Sequence, residues 1–552
     1  MPIRHTEVIS NQSVLRSDAP PKLGAKELIL TLRPDLCRRL GFDRPEHADD
    51  YLSWLLTSGV SEYAILREPK AFFAERLWQT GFGPNGTLTR LQYLIWRIRP
   101  DVQQAFPLPD ALEQLVNWFY THGLEEHNFW HLLSDTERKR VLSLPEPWRS
   151  RLSPLVSAPV STPNDGKSFN QRPFGVNLIG YAFGQLGIGE DARMAARALL
   201  VANVPMTMLN FPPGKDIPQN DHSMEAYVTK NGDYSFNMFC MTALENGRYW
   251  AERGQSQFKG RYNIGYWPWE LGRWPDAWRD MTALVDEVWV SSRHTCDALS
   301  PVSPVPVQIM PMAVDLGSVS RKGRRQFGLP NKPYLFCFSF DLNSSMHRKN
   351  PKACIEAFAR AFPTTRYGAG EVGLVIKTHR PARRNREWDR LKESALSDSR
   401  IHIIEETLSR PELLALYKAC DCFVSLHRAE GFGRGIAEAL LLGLQVIATA
   451  YSGNIDFCKS PQAHLVDYRL VKVKKGQYPF GVGQLWAEPD IDHAASLMRQ
   501  LRDKSDQKNC CSVTANWQEF SPSIVGRRYL QRLEYISGSL TNSAEAPLAG
   551  FS

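Results

Sequence analysis

The chain has 552 residues, of which 66 are Lys or Arg and 58 are Asp or Glu, so its formal net charge is +8. Hydrophobic residues make up 43% and charged residues 22%. These values exclude a wholly disordered, collagen-like or coiled-coil chain and allow three or four domains. Because the basic excess is small for this length and includes no long Lys/Arg tail, we expect no nucleic-acid partner. The excess favours anionic ligands or a membrane surface.

The ten Cys residues include no Cys-x-x-Cys pair, and no His/Asp cluster has the spacing of metal ligands. Residues 1–10 lack the apolar core of a signal peptide. The longest apolar stretch, residues 436–450, is shorter than the ~20 residues that a membrane span needs. We therefore expect a cytoplasmic protein with no metal and no transmembrane helix.

The first part of the chain has the pattern of a helical domain. Residues 1–20 are polar and are expected to form a mobile lead-in. Apolar residues then recur at helical spacing, as in residues 88–98, without clustered catalytic residue types. Residues 151–172 are rich in Pro, Ser and Asn, which is typical of a linker. We therefore predict a helical accessory domain over residues 21–150.

From residue 173 short apolar runs alternate with helical stretches, which predicts parallel sheets covered by helices. The strand candidates are residues 176–181, 204–211, 261–266, 287–291 and 307–312, and then 334–340, 373–377, 401–404, 420–426 and 445–448. The two series predict two Rossmann-like domains, over residues 173–318 and 319–520. A C-terminal helix over 521–536 and a flexible tail over 537–552 are expected to follow.

The strongest motif is LHRAEGFGRGIAE at residues 426–438, which we call the glutamate turn. A buried strand ends there, glycines turn the chain, and a helix begins. Free N–H groups at such a helix start favour a phosphate, and the carboxylates of Glu430 and Glu438 can accept hydrogen bonds from ligand hydroxyls. The structural alternative is a tight turn in which Glu438 only complements the helix dipole.

Glu430 and Glu438, with the segment ATAYSGNIDF at residues 448–457, resemble the Glu-x7-Glu signature of the retaining family-4 glycosyltransferases. The resemblance covers residues 176–533. It implies that Glu430 contacts hydroxyls of the donor sugar and that Glu438 contacts the nucleotide ribose. Further donor-binding candidates in these segments are His427, Gly431, Phe432, Gly433, Ser452, Gly453 and Asn454.

The fold class expected from this resemblance and from the strand pattern is α/β. The resemblance implies a GT-B-like pair of Rossmann-like domains with parallel sheets, an acceptor-side domain over residues 173–318 and a nucleotide-sugar domain over residues 319–520. An all-helical N-terminal domain, which the resemblance does not cover, precedes them.

A diphosphate leaving group needs stabilisation by cations or by a metal. The segment SFDLNSSMHRKNP at residues 339–351, the cation loop, resembles the family loop whose lysine binds the donor phosphates. Lys349 fits that lysine, with Arg348 beside it, and Lys377 is the candidate for a second cation because the usual early Arg is not obvious. Solvated charges at a helix start are the alternative. Since no Asp-x-Asp precedes a suitable loop, we expect metal-independent transfer.

The sequence GQLGIGEDA at residues 184–192, the glycine loop, contains a Gly-x-Gly-x-x-Ala match after a strand, which is typical of dinucleotide binding. The next strand, however, lacks the acidic residue that would hold an adenosine ribose. The loop also resembles the family's first-domain loop that approaches the donor phosphates and the acceptor. Gly187, Gly189 and Glu190 are the candidates there. We therefore expect no resident cofactor, with a nucleotide sugar as substrate.

The sequence YWPWEL at residues 266–271 follows another strand. Trp267 and Trp269 are candidates for stacking on an acceptor sugar, and Glu270 for an acceptor-hydroxyl contact or a base. Packing of both tryptophans is an equal alternative. The block resembles a subgroup of the family that assembles bacterial polysaccharides.

The leading hypothesis is a retaining glycosyltransferase that moves a sugar from a nucleotide sugar to a glycan or lipid-linked glycan. Its catalytic candidates are Glu430, Lys349 and Glu270. The alternatives are a nucleotide-sugar hydrolase or epimerase of the same fold, and a non-catalytic carbohydrate-binding scaffold.

Cationic runs at residues 321–325 and 377–392 are expected to be either solvated loops or contacts to anionic lipids at a membrane periphery. The helical domain is a candidate docking site for a protein partner.

Overall fold

The computed structural model describes residues 23–68, 71–72, 75–157, 166–214, 217–342, 344–379, 385–505 and 517–545. The expected lead-in, part of the cationic run at 377–392 and the end of the expected tail lie outside these residues. Contacts divide the described chain into two compact units. One comprises residues up to Gln171 together with Ala243–Arg261, and the other comprises Arg172–Thr242 and the residues from Tyr262 onward.

The first unit consists mainly of short amphipathic helices. Leu91 and Leu94 are fully buried on one face of a helix capped by Thr89, whose side chain accepts a hydrogen bond from the N–H of Gln92. The prediction of an all-helical domain is wrong in one detail, because a short antiparallel strand pair forms where Gly83 and Gly86 turn the chain with positive φ. The elements are α1 Ala25–Leu32, α2 Pro34–Leu40, α3 Ala48–Trp54, α4 Val60–Glu62, β1 Thr80–Phe82, β2 Leu88–Thr89, α5 Arg90–Ile98, α6 Pro100–Ala105, α7 Leu112–Trp118, α8 Leu124–Glu126, α9 Asp135–Leu142 and α10 Trp148–Ser157.

The second unit begins with a parallel six-stranded sheet of order β4-β3-β5-β6-β7-β8. Leu178 lies in register between Met208 and Met238, and all three side chains are fully buried. Strands covered on both faces are hydrophobic throughout, which explains the continuous apolar runs. The elements are β3 Val176–Gly180, α11 Gly187–Val201, β4 Met206–Asn210, β5 Phe236–Cys240, α12 Ala243–Arg253, β6 Tyr262–Tyr266, β7 Glu287–Val290, α13 Arg293–Leu299 and β8 Val307–Ile309. Of these, α12 belongs to the first unit, where it packs against α1.

A second parallel six-stranded sheet follows, of order β11-β10-β9-β12-β13-β14. Phe336 lies in register between Leu374 and Cys422, within one core cluster. The elements are β9 Tyr334–Phe340, α14 Met346–Lys349, α15 Pro351–Ala361, β10 Val372–Thr378, α16 Arg386–Leu396, β11 Ile401–Glu405, α17 Arg410–Lys418, β12 Cys422–Ser425, α18 Arg434–Leu441, β13 Gln445–Thr449, β14 Ala463–Val466, β15 Tyr468–Lys472, β16 Leu485–Pro489, α19 Ile491–Ser505 and α20 Pro522–Glu545. The pair β15 and β16 is antiparallel and separate from the large sheet.

The last helix, α20, returns to the first sheet and packs on α11. Gly526 permits this close approach, since a Cβ there would lie 2.0 Å from the carbonyl oxygen of Ala198. The two parallel sheets with their helices confirm the expected α/β fold, a GT-B-like pair of Rossmann-like domains after a mainly helical region. Within the described ranges, no helix combines the length and apolarity needed to cross a membrane.

Candidate active site

One cleft of about 480 Å³ lies at the carboxyl ends of strands from both sheets. Ligands of open α/β sheets bind at such ends because helix starts and loops converge there. The first sheet contributes Gly187, Glu190, Asp191, Pro268, Glu270 and Ser291. The second sheet contributes Arg348, Lys349, Lys377, Arg410, Glu430, Gly431, Phe432, Gly433, Arg434 and Glu438. The structure therefore brings residues of the glycine loop, the cation loop and the glutamate turn into one site.

The carboxylate of Glu430 accepts hydrogen bonds from two cations of the cation loop. Lys349 Nζ lies 2.5 Å from Oε1, and Arg348 Nη1 lies 3.1 Å from Oε2. Burial raises the pKa of Glu430, but the charges of Lys349 and Arg348 outweigh it and hold the pKa at about 2. Glu430 is therefore ionised at neutral pH, and its carboxylate can only accept hydrogen bonds.

The two cations differ in their own protonation behaviour. Burial lowers the pKa of Arg348, but Glu430 and Glu270 outweigh this effect and raise it above the ordinary value. For Lys349 burial dominates, and its pKa is lowered despite the nearby Glu430. The Nε atom of Arg348 is buried without a hydrogen-bond partner among the described residues. Arg348 thus retains a donor that an anionic ligand can use.

Lys377 lies at the end of β10 and is 1% exposed. Burial lowers its pKa to about 8, although Asp341 opposes the shift. It lines the same cleft as Lys349. Its charge is therefore sensitive to pH in the alkaline range.

Glu270 faces Glu430 across Arg348, whose Nη2 lies 3.7 Å from Oε1 of Glu270. The hydroxyl of Tyr478 donates a short hydrogen bond to the other oxygen, Oε2. Burial raises the pKa of Tyr478, followed by the effect of Glu270, so the phenol stays protonated and continues to donate. Glu270 is thus an oriented carboxylate on the side of the cleft formed by the first sheet.

The prediction that Trp267 and Trp269 stack on a sugar is wrong for this structure. Both side chains are almost fully buried, and neither lines the cleft. Trp269 packs against Trp278 with ring centroids 5.0 Å apart, and Trp267 stacks on Trp274 at 6.0 Å. Residues 268 and 270 face the cleft, so in this extended segment the alternating residues 267 and 269 face the core.

Glu438 lies in α18 and is 2% exposed. Nη1 of Arg410 donates a hydrogen bond of 2.9 Å to its Oε1. Nε of the same guanidinium lies 2.8 Å from Oε1 of Glu190, which is also paired with Arg193. Burial raises the pKa of Glu438 despite the charges of Arg410 and Arg434. Glu190 pairs with Arg193 of the first Rossmann-like domain and with Arg410 of the second, so it links the two domains.

A second ion pair between the two Rossmann-like domains involves Arg434, the first residue of α18. Its Nε donates a hydrogen bond of 2.9 Å to Asp191 in α11, and its Nη1 donates to the carbonyl oxygen of Ala313 at 3.1 Å. Burial raises the pKa of Asp191, and Arg434 opposes this shift. The helix that follows the glutamate turn is thereby held against the glycine loop.

The segment after β13 supports the glutamate turn from behind. Ser452 Oγ accepts a hydrogen bond of 2.8 Å from the N–H of Glu430, and Gly453 N–H donates to the carbonyl oxygen of Glu430 at 2.9 Å. A Cβ at Gly453 would lie 2.0 Å from the carbonyl oxygen of Gly431. Ser452, Gly453 and Asn454 do not line the cleft. Ser452 and Gly453 act on the site through Glu430 and Gly431, whereas Asn454 Nδ2 donates a hydrogen bond of 3.0 Å to the carbonyl oxygen of Thr449.

His427 was expected to bind the donor, but it is fully buried and does not line the cleft. Its Nε2 lies 3.2 Å from the carbonyl oxygen of Tyr451 and 3.1 Å from Oδ1 of Asn454. Burial lowers its pKa. It therefore ties β12 to the supporting segment, a position that the motif alone did not distinguish from a ligand contact.

The glycines have different roles. Gly433 has φ +96° directly before α18, a conformation that favours glycine, and it lines the cleft with Gly431. Gly187 begins α11 and also lines the cleft. Gly189 does not line it, because its backbone packs on Gly184, whose carbonyl oxygen would lie 2.3 Å from an added Cβ. Gly189 therefore packs within the glycine loop and does not face the cleft.

Sequence reasoning missed Arg410, Asp191, Arg434 and Tyr478 as site residues. Arg410 opens α17, whose capping box of Ser409 and Glu412 marks a helix start after β11. This signal could have identified Arg410 as a cation at the carboxyl end of the sheet. No comparable signal marks Tyr478. In the part of the chain that the structure describes, no group of three or more His, Cys, Asp or Glu is arranged to hold a metal ion.

Residues 342–470 match the family model of glycosyl transferases group 1. The matched segment contains the cation loop after its first three residues, Lys377 and the whole glutamate turn. The match supports the expected glycosyltransferase with a GT-B fold. No curated protein sequence matches the chain.

Several solved structures are similar to this chain. Sucrose-phosphate synthase from Thermosynechococcus elongatus has 16% identity, covers 68% of this chain and 100% of its own, and has a TM-score of 0.45. Anabaena HepE in complex with UDP and glucose has 13% identity and a TM-score of 0.45, and the alignment covers 66% of this chain and 100% of HepE. A glycosyltransferase from Rickettsia africae has 12% identity and a TM-score of 0.45, and the alignment covers 66% of this chain and 98% of that enzyme. None of the three is similar enough to assign a donor or an acceptor.

Proposed function

We propose that this protein is a retaining, metal-independent glycosyltransferase. It moves a sugar from a nucleotide-sugar donor to a glycan or lipid-linked glycan, in bacterial polysaccharide biosynthesis. The observation that carries the proposal is the ionised Glu430 between Arg348 and Lys349, in a cleft at the carboxyl ends of two parallel sheets. This arrangement provides both a carboxylate for hydroxyls and cations for a diphosphate within one segment that matches the glycosyltransferase family.

In this proposal the donor binds mainly to the second sheet. Lys349, Arg348 and Lys377 contact the diphosphate, and the backbone N–H groups at Gly433 and the start of α18 add positive potential. Glu430 accepts hydrogen bonds from sugar hydroxyls, and Glu438 accepts them from the ribose. The cations are already positioned by carboxylates, so their reorganisation on donor binding is small.

The chemical step breaks the bond between the anomeric carbon and the diphosphate oxygen. The electron pair leaves with the diphosphate, whose growing negative charge is stabilised by Lys349, Arg348 and Lys377. The acceptor hydroxyl attacks from the same face of the sugar and gives up its proton. Glu270 lies on the acceptor side and is the candidate to orient that hydroxyl or to take its proton.

A thermal-shift screen of nucleotide sugars tests donor binding. A bound donor at 100 times its Kd stabilises the fold by about 2.7 kcal/mol. We expect one nucleotide sugar to raise the Tm of the wild type and of Lys352→Ala, an exposed lysine of α15. Lys349→Ala should lose this ligand-induced shift relative to its own ligand-free Tm. Equal shifts in both variants would contradict the assigned site.

Product analysis then separates the alternatives. With donor and acceptor, transfer predicts a product whose anomeric configuration matches that of the donor by NMR, at a rate unchanged by EDTA. Full turnover of the donor without an acceptor would favour a hydrolase or epimerase. Donor binding without any turnover would favour the carbohydrate-binding scaffold. Cytoplasmic location and a protein partner of the helical unit stay predictions.

A further inference from the structure

Strand β15, the loop that follows it and the first residue of β16, residues 468–485, form an unusual surface that we call the basic ribbon. It carries five of the twelve large hydrophobic side chains that are exposed in the described residues. Tyr468, Leu470 and Leu485 lie on one face, because Leu485 pairs with Lys472 and alternate residues of a strand share a face. Phe480 and Val482 lie in the loop, and Val482 is 64% exposed. Such clustering of exposed apolar residues is typical of an interaction surface.

The charges of the basic ribbon have one sign. Residues 468–485 contain four cations and no Asp or Glu. All four are exposed and make no ion pair within the described residues, in contrast to Arg428, which is paired with Glu488 at the base of the ribbon. The four cations are Arg469, Lys472, Lys474 and Lys475. A surface that combines unpaired cations with exposed aromatic and aliphatic groups is complementary to an anionic lipid bilayer.

The other side of the ribbon reaches the candidate active site. Tyr478, in the loop, donates its hydroxyl hydrogen bond to Glu270, and the carbonyl oxygen of Gln477 accepts a hydrogen bond of 2.6 Å from Ser345 in the cation loop. Gly481 also packs closely on Leu271. A bilayer on the ribbon would therefore lie next to the cleft, at the position from which a lipid-linked acceptor can enter.

We propose that the basic ribbon docks the protein on an anionic lipid bilayer. Lys472, Lys474 and Lys475 contact lipid phosphates, and Leu470, Phe480 and Val482 insert between headgroups. Arg469 lies on the opposite face of β15, across from Glu488, and takes no part in docking. The inference deepens the proposed function, since it names a lipid surface as the source of the acceptor. Docking itself is independent of sugar transfer, so vesicle binding and donor binding are measured separately.

The test is sedimentation of the full chain with vesicles of phosphatidylcholine alone or with added phosphatidylglycerol, without nucleotide sugar. We expect binding to the anionic vesicles, weakened by salt. Each lysine near an anionic surface contributes about a fivefold change in binding. Lys474→Gln with Lys475→Gln should therefore weaken binding about 25-fold, and Leu470→Ser with Val482→Ser should weaken it as well.

Matched controls remove the same residue types elsewhere. Arg321→Gln with Arg325→Gln removes two exposed cations of the run at residues 321–325, and Leu396→Ser with Val201→Ser removes two side chains that are 52% and 55% exposed. Both controls should bind vesicles like the wild type. All four double variants should keep the donor-induced thermal shift, which shows that they are folded.

Three results would overturn the proposal. The first is equal vesicle binding by the ribbon variants and the wild type. The second is binding to neutral and anionic vesicles alike. The third is a ribbon-dependent dimer in size-exclusion chromatography without vesicle binding, which would assign this face to a second copy of the chain. If donor binding failed while ribbon-dependent vesicle binding persisted, the proposed function and not the docking surface would be at fault.

Discussion

Nη1 of Arg410 donates a hydrogen bond of 2.9 Å to Oε1 of Glu438. The same guanidinium lies within ion-pair distance of Glu190, so one side chain at the start of α17 joins carboxylates of both Rossmann-like domains. Glu190 and Glu438 are both buried. A buried carboxylate that loses its cation is strongly destabilising, and this applies to Glu438, whereas Glu190 also pairs with Arg193. Arg410 therefore links the stability of the cleft to the position of the expected ribose ligand.

We expect Arg410→Ala to lower the free energy of unfolding by about 3–5 kcal/mol, because the buried carboxylate of Glu438 loses its ion-pair partner. Donor affinity should also fall at least about tenfold, since Glu438 loses the partner that orients it. The measurements are urea unfolding and donor titration. Arg386→Ala, which removes an exposed arginine from the first position of α16, is the control and should change neither quantity. Unchanged donor affinity in Arg410→Ala would remove Glu438 from the donor site.

Glu430→Gln keeps the size of the side chain and removes its charge. We expect the transfer rate to fall about 100-fold or more, because in the proposed function Glu430 contacts the reacting sugar, and its carboxylate pairs with Lys349. The pKa of Glu430 is lowered to about 2, so its ionised form stabilises the folded protein above the ordinary carboxyl pKa of 4.5. This contribution is lost as the pH falls toward 2.

The corresponding measurement is urea unfolding of the wild type and Glu430→Gln from neutral to acidic pH. The difference between their unfolding free energies should be largest at neutral pH and shrink below pH 4.5. Asp398→Asn, which breaks the Asp398–Arg400 ion pair, is a control that affects stability and not transfer. A transfer rate for Glu430→Gln equal to that of Asp398→Asn would exclude a catalytic role for Glu430.

The lowered pKa of Lys377 predicts a loss of donor affinity at alkaline pH. Its pKa is lowered from 10.5 to about 8 by burial, so the ligand-free protein loses this charge as the pH rises through 8. If the ammonium binds the diphosphate, affinity falls by up to about tenfold per pH unit above 8 and is constant below it. Lys377→Arg should abolish this dependence. A wild-type affinity that stays constant above pH 8 would remove Lys377 from the diphosphate site.

Above pH 8 the deprotonation of Lys377 lowers donor affinity but raises the stability of the folded protein relative to the unfolded chain. Between pH 8 and 10.5 the unfolded chain binds the proton that the folded chain has lost, so the free energy of unfolding rises with pH. Below pH 8 the buried charge costs about 3 kcal/mol. Lys377→Met should therefore be more stable than the wild type at neutral pH and bind the donor more weakly. The exposed Lys352→Met serves as the control and should show neither effect.

The fold could be predicted well because its signals are local. Buried parallel strands are continuous apolar runs, and each run from residue 176 onward coincides closely with a strand of one of the two sheets. The membership of α12 in the first unit could not be predicted. An amphipathic pattern shows that a helix has a buried face, but it does not show which neighbour covers that face.

The site was predicted in part for the same reason. Glu430 and Lys349 belong to local motifs, and the structure brings them together. The pair of Arg410 with Glu190 joins residues far apart in sequence, so only packing reveals it. The period of two in an extended segment puts Trp269 and Glu270 on opposite faces, but it does not show which face meets the cleft.

Gly453 provides a test of the supporting segment. A Cβ at this position would lie 2.0 Å from the carbonyl oxygen of Gly431 and 2.9 Å from the backbone nitrogen of Phe432. Both atoms belong to rigid backbone, so Gly453→Ala must displace the glutamate turn. We expect the variant to fold with native circular dichroism, to lose the donor-induced thermal shift and to transfer sugar at least about 100-fold more slowly, as expected when a positioned group moves by about 1 Å.

The control for this prediction is Gly370→Ala. A Cβ at Gly370 has no neighbour within 4 Å, and its φ is not in the left-handed region. Both variants add one methyl group, so they differ only in the space around it. If Gly453→Ala transferred sugar at the rate of Gly370→Ala, the exact position of Glu430 would be unimportant for the reaction. Because Glu430 is held from behind by Ser452 and Gly453 and in the cleft by Lys349, we expect the opposite.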